Sequence, residues 1–297
     1  MSVTDRIETA LHRSLLQATS ETTPPSLREA MTHAVFPGGA RLRPGLAVSV
    51  AAACGDRNPL LTDASAAAIE IMHCASLVHD DLPSFDDAAT RRGQPTVHAR
   101  FGVPAAVLAG DALIAVAFEI LATPRGRSEA DIPRMIQTLA RCIGPARGII
   151  AGQAWELESE TDIRTYHELK TGALFEAAAM LGALSSASDP SGWRAFGTGL
   201  GTAYQIVDDV LDAAGTERAL GKPVGQDQLH GRPSVVTEVG VSGALDRLQS
   251  LFSELPSLIP ECPRPDYIHA WLDRVGERLF PPLQNQAAAA MREEMTG

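Results

Sequence analysis

Two clusters of aspartates are the residues of this chain with the clearest capacity for chemistry. The first lies in the segment DDLPSFD, residues 80–86, and the second in DDVLD, residues 208–212. Each cluster ends a long apolar stretch, where a carboxylate is costly unless another charge compensates it. Mg²⁺ binds a few carboxylate oxygens, keeps some waters and takes its remaining ligands from substrate phosphates. The two clusters therefore predict a site for magnesium and a diphosphate inside a helical protein.

Helical spacing decides which carboxylates of the second cluster act together. Asp208 and Asp212 lie four residues apart, so they share one face of a helix. Asp209 lies about 100° round the helix from Asp208, and we expect it to contact the substrate. The alternative is a solvated acidic helix face, and the spacing by itself leaves both interpretations open.

The first cluster contains a residue that stops helices. Pro83 predicts that the preceding helix ends or kinks near Asp81, which lets Asp86 fold back towards the helix end. Arg91 and Arg92 follow, and the guanidinium group matches phosphate oxygens in a bidentate way. We interpret this segment as a phosphate-binding site, and the alternative is a patch of surface salt bridges.

Several other polar residues lie in apolar surroundings. These candidates are Arg43, His73, Lys170, Thr171, Gln205 and Lys222. His73 precedes Asp80 by about two helical turns and so shares its face. Arg43 follows a glycine turn at a helix start, where backbone N–H groups favour anions. A buried lysine needs a counter-charge, which a diphosphate would supply. The alternatives are a hydrogen-bonded core histidine and solvated surface lysines.

Helices must position these residues, because helical periodicity dominates the chain. Long amphipathic or apolar stretches cover residues 63–79, 105–121, 163–184 and 196–212, and clusters of glycine and proline separate them. Aromatic residues make up only 5% of the chain, and alternating β-branched runs are scarce. We predict an all-α fold: one domain spanning residues 1–297, built as a helical bundle around a central cavity.

Composition excludes several classes of function. A net charge of −11 argues against a nucleic-acid surface, so a phosphate-bearing substrate must be held by local cations. The four cysteines have no metal-binding spacing and are interpreted as reduced thiols of a cytoplasmic protein. We expect no transmembrane segment and no export signal.

The motifs and their order resemble the trans-isoprenyl diphosphate (polyprenyl) synthase family, including bacterial geranylgeranyl diphosphate synthases of carotenoid and bacteriochlorophyll pathways. The resemblance runs from about Phe36 to Val236 and includes GGARLRP, LAGDAL, KTGALF and GKPVGQD besides the two aspartate motifs. It implies an all-α homodimer that uses three Mg²⁺ ions per site, with Mn²⁺ as a substitute. The implied reaction condenses isopentenyl diphosphate with dimethylallyl, geranyl or farnesyl diphosphate, giving mainly geranylgeranyl diphosphate and free diphosphate.

The resemblance also implies residue roles. The matching metal ligands are Asp80, Asp81, Asp86, Asp208 and Asp212. The positions that hold the allylic diphosphate or the developing cation are Arg91, Lys170, Thr171, Gln205 and Lys222. The pocket for isopentenyl diphosphate is matched by Arg43, His73 and Arg92. Two positions depart from the family pattern, because Ala40 and Arg232 stand where lysines are usual.

Product length is expected to depend on the helix that leads into the first cluster. Ala75 and Ser76 lie about one turn before Asp80, and Ala75 is too small to stop a prenyl tail. We therefore predict a product of geranylgeranyl length and shorter products from Ala75→Tyr.

Two alternatives remain. One is a farnesyl diphosphate synthase, and the other is a non-catalytic partner of a related synthase; Ala40 is the only support for this second alternative. The spacing of the second motif speaks against a terpene cyclase and against a head-to-head synthase. A helical scaffold with acidic surface patches is a further alternative, and it predicts no stabilisation by magnesium and diphosphate.

Overall fold

A computed structural model of the chain describes residues 2–36, 38–123, 132–158, 162–214 and 234–296, without the side chains of 214, 281, 282 and 284–296. The helices of these ranges are α1 (Val3–Ala18), α2 (Pro25–Val35), α3 (Leu42–Ala53), α4 (Pro59–Asp80), α5 (Val97–Phe101), α6 (Val103–Ala122), α7 (Ile132–Ile143), α8 (Ile149–Trp155), α9 (Ile163–His167), α10 (Ala173–Ser185), α11 (Trp193–Ala214), α12 (Val235–Glu254) and α13 (Asp266–Thr296). A π-helical turn (Glu168–Gly172) joins α9 to α10, and a 3₁₀ turn (Leu255–Leu258) follows α12. The only strands in the described ranges are β1 (Thr90–Arg91) and β2 (Gln94–Pro95), which pair antiparallel. The prediction of an all-α fold is confirmed.

Helix α4 forms the centre of the bundle. It begins after Asn58, whose side chain accepts a hydrogen bond from the backbone N–H of Leu61 at 3.2 Å, and Pro59 occupies the first helical position. Its apolar residues are buried on nearly all sides, and α3, α6 and α10 pack against it. This packing explains why a helix that carries acidic groups at its end is otherwise apolar all round.

The main hydrophobic core draws residues from most of the helices between α1 and α13. A smaller apolar cluster lies where α11, α12 and α13 meet, and it includes Val207, Val210 and Leu248. These two clusters hold α11, the helix with the second aspartate motif, against the rest of the bundle. The assignment of residues 1–297 to one domain stays a prediction.

A buried arginine secures the start of α3. Arg41 adopts a left-handed backbone conformation with φ 49° and is only 7% exposed. Its guanidinium group donates to Glu70 at 2.6 Å, to Glu8 at 2.8 Å and to the carbonyl oxygen of Val35 at 2.9 Å. These bonds tie α1, α2 and α4 to the turn that leads into α3, and so they set the direction in which Arg43 enters the bundle.

Within the described residues, two helices are long and apolar enough to cross a membrane by length and composition, namely α4 and α6. In α4, 78% of the most apolar window is buried inside the protein, and in α6 the share is 44%. A core helix passes the same test, and α4 is such a helix. Length and composition therefore give only weak support for a membrane span.

Candidate active site

The first aspartate cluster forms a tight turn at the end of α4. The backbone N–H of Asp86 donates to the carbonyl oxygen of Asp80 at 3.0 Å, and the N–H of Ala88 donates to that of Asp81 at 3.2 Å. Helix α4 ends at Asp80, three residues before Pro83. The predicted helix end and the return of Asp86 towards Asp80 are thus both present in the structure.

Asp80 faces a central cavity in a state that favours cation binding. Its Oδ1 atom is buried and accepts no hydrogen bond from the described residues. Burial raises the pKa of Asp80, and the nearby Asp86 carboxylate adds to this while Lys170 opposes it. A carboxylate with an unpartnered buried oxygen gains most from a divalent cation, which would offset its desolvation.

Asp81 lies away from the cavity wall and is 3% exposed. Its Oδ1 atom accepts hydrogen bonds from Arg91 Nε at 2.7 Å and lies 2.6 Å from Arg91 Nη2. Burial raises the pKa of Asp81, and the Arg91 guanidinium lowers it. The expectation that Asp81 binds metal stays a prediction; in the structure this carboxylate contacts Arg91, which itself lines the cavity.

The second cluster divides in the same way. Asp208 and Asp212 line the cavity, as their spacing of four residues on α11 predicted. Asp209 is 1% exposed and points into the protein, where it contacts α9 and the start of α12. Burial raises its pKa to about 6. Its expected contact with substrate stays a prediction, and in the structure a step of about 100° round the helix from Asp208 turns it from the cavity wall.

Lys170 and Thr171 reach the cavity from the π-helical turn, a local geometry that often marks functional sites. The turn packs very closely against its neighbours. A Cβ atom on Gly152 would overlap the backbone of Lys170, and one on Gly201 would overlap that of Gly172. Glycines in α8 and α11 therefore allow the approach that places both side chains at the wall.

Lys170 and Thr171 each have a polar partner. Lys170 Nζ pairs with the carboxylate of Glu156, which also accepts from the hydroxyl of Tyr166 at 2.5 Å. The hydroxyl of Thr171 donates to the side-chain carbonyl oxygen of Gln205. The lysine thus has the counter-charge that a buried position requires.

A cationic corner of the cavity lies beside α3 and α4. The Arg43 guanidinium stacks over the Phe175 ring at 4.5 Å, and its Nη1 atom lies 3.4 Å from Nε2 of His73. The Nε atom of Arg43 is buried and has no hydrogen-bond partner in the described part of the chain. Burial and the neighbouring Arg43 lower the pKa of His73 well below its usual value. This corner is suited to an anionic ligand.

Arg92 does not line the cavity. Its Nη1 atom donates to the carbonyl oxygen of Gly38, and its guanidinium lies against Gly39, where a Cβ would come within 2.8 Å. It braces the glycine turn that precedes Ala40 and Arg43. The expected direct contact of Arg92 with isopentenyl diphosphate stays a prediction.

The two residues expected to set product length also separate. Ser76 lines the cavity, together with Met72 and Leu77 on the same side of α4. Ala75 is fully buried in the main core and does not line it. The position of Ala75 therefore gives no support to its predicted contact with a prenyl tail, because it lies about 140° round the helix from Asp80, which faces the cavity.

The cavity brings most of the expected residues together in a volume of about 500 Å³. Its polar wall contains Arg43, His73, Asp80, Asp86, Arg91, Lys170, Thr171, Gln205, Asp208 and Asp212. Its apolar wall contains Met72, Leu77, Phe85, Ile114, Ile143, Ile149 and Ile150. Lys222 and Arg232 lie outside the described residues.

The sequence reasoning missed several residues of the cavity wall, including His79, Thr90, Gln153 and Tyr166. Gln153 and Tyr166 line the cavity, and Glu156 pairs with Lys170. The segment GQAWE offered a signal, because it places an amide and a carboxylate three residues apart after an apolar run. Tyr166 offered none, since a tyrosine four residues before a lysine is common on helix surfaces.

The donor set suits Mg²⁺ that is shared with a ligand. Asp80, Asp86, Asp208 and Asp212 line the wall, but within the described ranges no three such groups converge on one point. Mg²⁺ binds through one or two carboxylates, keeps waters and takes phosphate oxygens. The residues present therefore fit magnesium ions that also bind a diphosphate, and they do not fit a closed protein cage.

Comparison with known proteins places this geometry in a family. Residues 24–254 match the polyprenyl synthetase family. A geranylgeranyl diphosphate synthase of Cereibacter sphaeroides is 45% identical over 95% of this chain and 98% of its own length. A Rhodobacter capsulatus protein of the same name is 47% identical over 89% and 91%.

Solved structures give the same result. A geranyltransferase of Helicobacter pylori, crystallised with magnesium and isoprenyl diphosphate, is 28% identical and superposes with a TM-score of 0.73 over 100% of this chain and 99% of its own. A Zymomonas mobilis FPP/GFPP synthase is 30% identical with a TM-score of 0.76 over 91% and 97%. The family match, the sequence identities and the shared all-α fold together show that this chain belongs to the polyprenyl synthetase family.

Proposed function

We propose that this chain is a prenyltransferase that condenses isopentenyl diphosphate head-to-tail with an allylic diphosphate. The allylic substrate is dimethylallyl, geranyl or farnesyl diphosphate, and the main product is geranylgeranyl diphosphate. The observation that carries the proposal is the cavity, in which acidic and basic residues share one wall and aliphatic residues form another. Such a cavity can bind a diphosphate at its polar wall and bury a prenyl tail against its apolar wall. The two relatives named geranylgeranyl diphosphate synthase support the product length.

Magnesium would be held by the aspartates of the two clusters, namely Asp80, Asp81, Asp86, Asp208 and Asp212, with three ions per site as the family pattern implies and with Mn²⁺ as a substitute. Bound there, it would neutralise charge on the allylic diphosphate and make it a better leaving group. The Helicobacter pylori relative was crystallised with magnesium and an isoprenyl diphosphate, which supports this assignment.

Basic residues neutralise the part of the diphosphate charge that magnesium leaves uncompensated. Arg91 is held in place by Asp81, and Lys170 by Glu156, so both cations are oriented before the substrate arrives. A guanidinium fork and an ammonium group then contact phosphate oxygens without having to be reordered. Lys222 is expected to add a further contact.

The reacting carbon lies beside neutral dipoles. When the allylic C–O bond breaks, the electron pair leaves with the diphosphate, and the cation faces the Thr171 hydroxyl and the Gln205 carbonyl oxygen. The double bond of isopentenyl diphosphate attacks this cation and forms the new C–C bond. The departed diphosphate takes the proton that is then lost, so the reaction needs no protein base.

Isopentenyl diphosphate occupies the cationic corner. Arg43 has a buried N–H without a partner among the described residues, and an incoming diphosphate would satisfy it, while His73 pairs with the Nη1 atom of the same guanidinium. The exposed Ala40 removes one cation from this pocket relative to the family pattern. Affinity for isopentenyl diphosphate is therefore the property that this substitution affects.

Two copies of the chain pair through α6. Val103, Val107 and Leu108 are exposed on this helix and form an apolar strip on its outer face. A homodimer would cover the strip, in agreement with the family pattern. We further assign the enzyme to the cytoplasm and to the supply of carotenoid precursors, as the resemblance implies.

The purified chain, assayed alone with radiolabelled isopentenyl diphosphate and farnesyl diphosphate, tests the proposal. The wild type is expected to form geranylgeranyl diphosphate, and Asp80→Ala and Asp208→Ala to lose at least about 100-fold in turnover. Near-normal turnover of both variants at saturating Mg²⁺ would show that the mechanism is wrong.

Two further outcomes separate the alternatives. Accumulation of farnesyl diphosphate from shorter substrates would instead indicate a farnesyl diphosphate synthase, a name carried by a Geobacillus stearothermophilus relative at 38% identity. A chain without activity that Mg²⁺ and inorganic diphosphate still stabilise, by about 2.7 kcal/mol at 100 times the dissociation constant, would indicate a non-catalytic partner.

A further inference from the structure

The Gln205 side chain has two chemically opposite ends, and only one of them can stabilise a cation. Its carbonyl oxygen carries partial negative charge, and its NH₂ group carries partial positive charge. In the structure the oxygen accepts the Thr171 hydroxyl, and both residues line the cavity. A hydroxyl can donate or accept, so Thr171 would tolerate either orientation of the amide. Another residue must therefore fix which end of the Gln205 amide faces the reacting carbon.

Asp209 is positioned to fix the orientation of the Gln205 amide. Gln205 lies one helical turn before it on α11, and the Gln205 Nε2 atom donates to Asp209 Oδ1 at 2.9 Å. The second oxygen, Oδ2, accepts the backbone N–H of Val235 at 2.8 Å. A carboxylate only accepts hydrogen bonds, so a reversed amide would put two oxygens in contact. The reversed orientation is therefore excluded as long as Asp209 is a carboxylate.

The surrounding structure fixes the Asp209 carboxylate. The residue is 1% exposed, and His167 Nε2 lies 3.5 Å from Oδ2. His167 belongs to α9, Asp209 to α11, and Val235 begins α12. Three helices therefore meet at this carboxylate, and it cannot rotate without losing its hydrogen bond to Gln205 or to Val235. A fixed acceptor is what an amide of defined orientation requires.

We propose that Asp209 is a positioning residue that holds the Gln205 amide with its carbonyl oxygen towards Thr171 and the cavity. This inference rests on the proposed function and deepens it, because it explains how the aspartates of the second motif perform two different roles. Asp208 and Asp212 face the metal and diphosphate, and Asp209 faces away and orients the dipole that stabilises the allylic cation. Its contribution lies in the chemical step and not in the binding of diphosphate.

The variant Asp209→Asn tests the proposal. The Val235 N–H still needs an oxygen, so the oxygen of the introduced amide is expected to stay there, and its NH₂ group is expected to face Gln205. The Gln205 amide then reverses and presents its NH₂ to the cation. With pre-bound farnesyl diphosphate, the single-turnover rate should fall by about 100-fold, the scale of one misplaced catalytic dipole. The dissociation constant of farnesyl diphosphate with Mg²⁺ should stay at the wild-type value.

The matched control is Asp246→Asn, the same change at an exposed aspartate of α12, which should leave the single-turnover rate at the wild-type value. A rate for Asp209→Asn close to that of the wild type would overturn the inference and leave the proposed function intact. A wild-type chain that makes no product would instead overturn the proposed function and the inference with it.

A double-mutant cycle separates positioning from a structural role. In a Gln205→Leu background, Asp209→Asn should change the single-turnover rate by less than about twofold, because no amide remains to be oriented. A further loss of about tenfold or more in that background would show that Asp209 acts by another route.

A second variant covers the case in which Asp209→Asn fails to fold. When Asp209→Asn is combined with Gln205→Glu, the NH₂ group of the introduced amide donates to the introduced carboxylate, and the other hydrogen bonds are retained. A side-chain oxygen again faces Thr171 and the cavity. The single-turnover rate should exceed that of Gln205→Leu by at least about fivefold, since a dipole of the correct sign is restored. A rate at or below that of Gln205→Leu would contradict the proposal.

Discussion

Substitution of Ser76 by phenylalanine should shorten the product. Ser76 is half-buried, lines the cavity and lies on the same side of α4 as Met72 and Leu77. Its hydroxyl donates to the carbonyl oxygen of His73 at 2.8 Å, so the wild-type side chain stays close to its own helix. A phenyl ring at this position would project into the space that a growing prenyl tail must cross.

The expected shortening follows from distances along α4. Ser76 lies four residues before Asp80, which is about 6 Å along the helix axis, and Met72 lies about 12 Å away. One isoprene unit contributes four chain bonds of about 1.5 Å, and it extends by about 5 Å. A ring at position 76 therefore leaves room only for an allylic substrate of one or two units, with its diphosphate bound near Asp80. One condensation extends such a substrate to two or three units. The main product should fall from four isoprene units to two or three.

The assay is chromatography of the dephosphorylated products formed from radiolabelled isopentenyl diphosphate and dimethylallyl diphosphate. Ser76→Ala serves as the control and should keep the wild-type product spread. Ala75→Tyr serves as the competing test, because Ala75 lies in the core and its enlargement should lower the melting temperature without shortening the product. Shorter products from Ala75→Tyr together with unchanged products from Ser76→Phe would refute the structural reasoning.

Three further predictions concern stability, reactivity and the shape of the site. Glu70→Gln should lower the free energy of unfolding by about 2 kcal/mol, because Arg41 loses its buried carboxylate partner and keeps only the partly exposed Glu8; in the exposed pair on α12, Glu238→Gln should cost less than about 1 kcal/mol, and equal losses in urea titrations would contradict this. Of the four thiols, Cys262 should react first with iodoacetamide at mildly alkaline pH, because the other three are buried; mass spectrometry of the native protein that finds all four labelled at similar rates would refute it. Gly152→Ala should reduce turnover by more than about tenfold, because its methyl group would displace the backbone of Lys170, and unchanged kinetics would show that this close packing is not required.

Helical spacing predicted which aspartates act together, and it did so for a local reason. Residues four apart share a face wherever the helix lies, so Asp208 and Asp212 both reach the cavity. Pro83 forbids a continued helix, so the turn that brings Asp86 back to Asp80 was also foreseeable. The all-α class followed from periodicity in the same manner.

Spacing within a helix could not predict the roles of Asp81 and Asp209, the aspartates next to Asp80 and Asp208. Asp81 and Asp209 belong to the same motifs as Asp80 and Asp208, but they lie away from the cavity wall and contact Arg91 and Gln205. The partnership of Lys170 with Glu156 joins different segments, and it depends on the close packing of α8 against the π-helical turn. Such pairings arise from tertiary contacts and not from the spacing within one helix.

The sequence alone determined the all-α class and the sets of side chains that share a helix face, because these depend on backbone geometry within one or two turns. It did not show the π-helical turn that divides the predicted stretch 163–184. The tertiary structure decided which face of α4 and of α11 turns to the cavity, so that Ser76 lines it and Ala75 does not. The physical reason is that the orientation of a helix is set by the packing of its apolar surface against other helices. That packing also assigns each polar group either to the ligand or to a partner inside the protein.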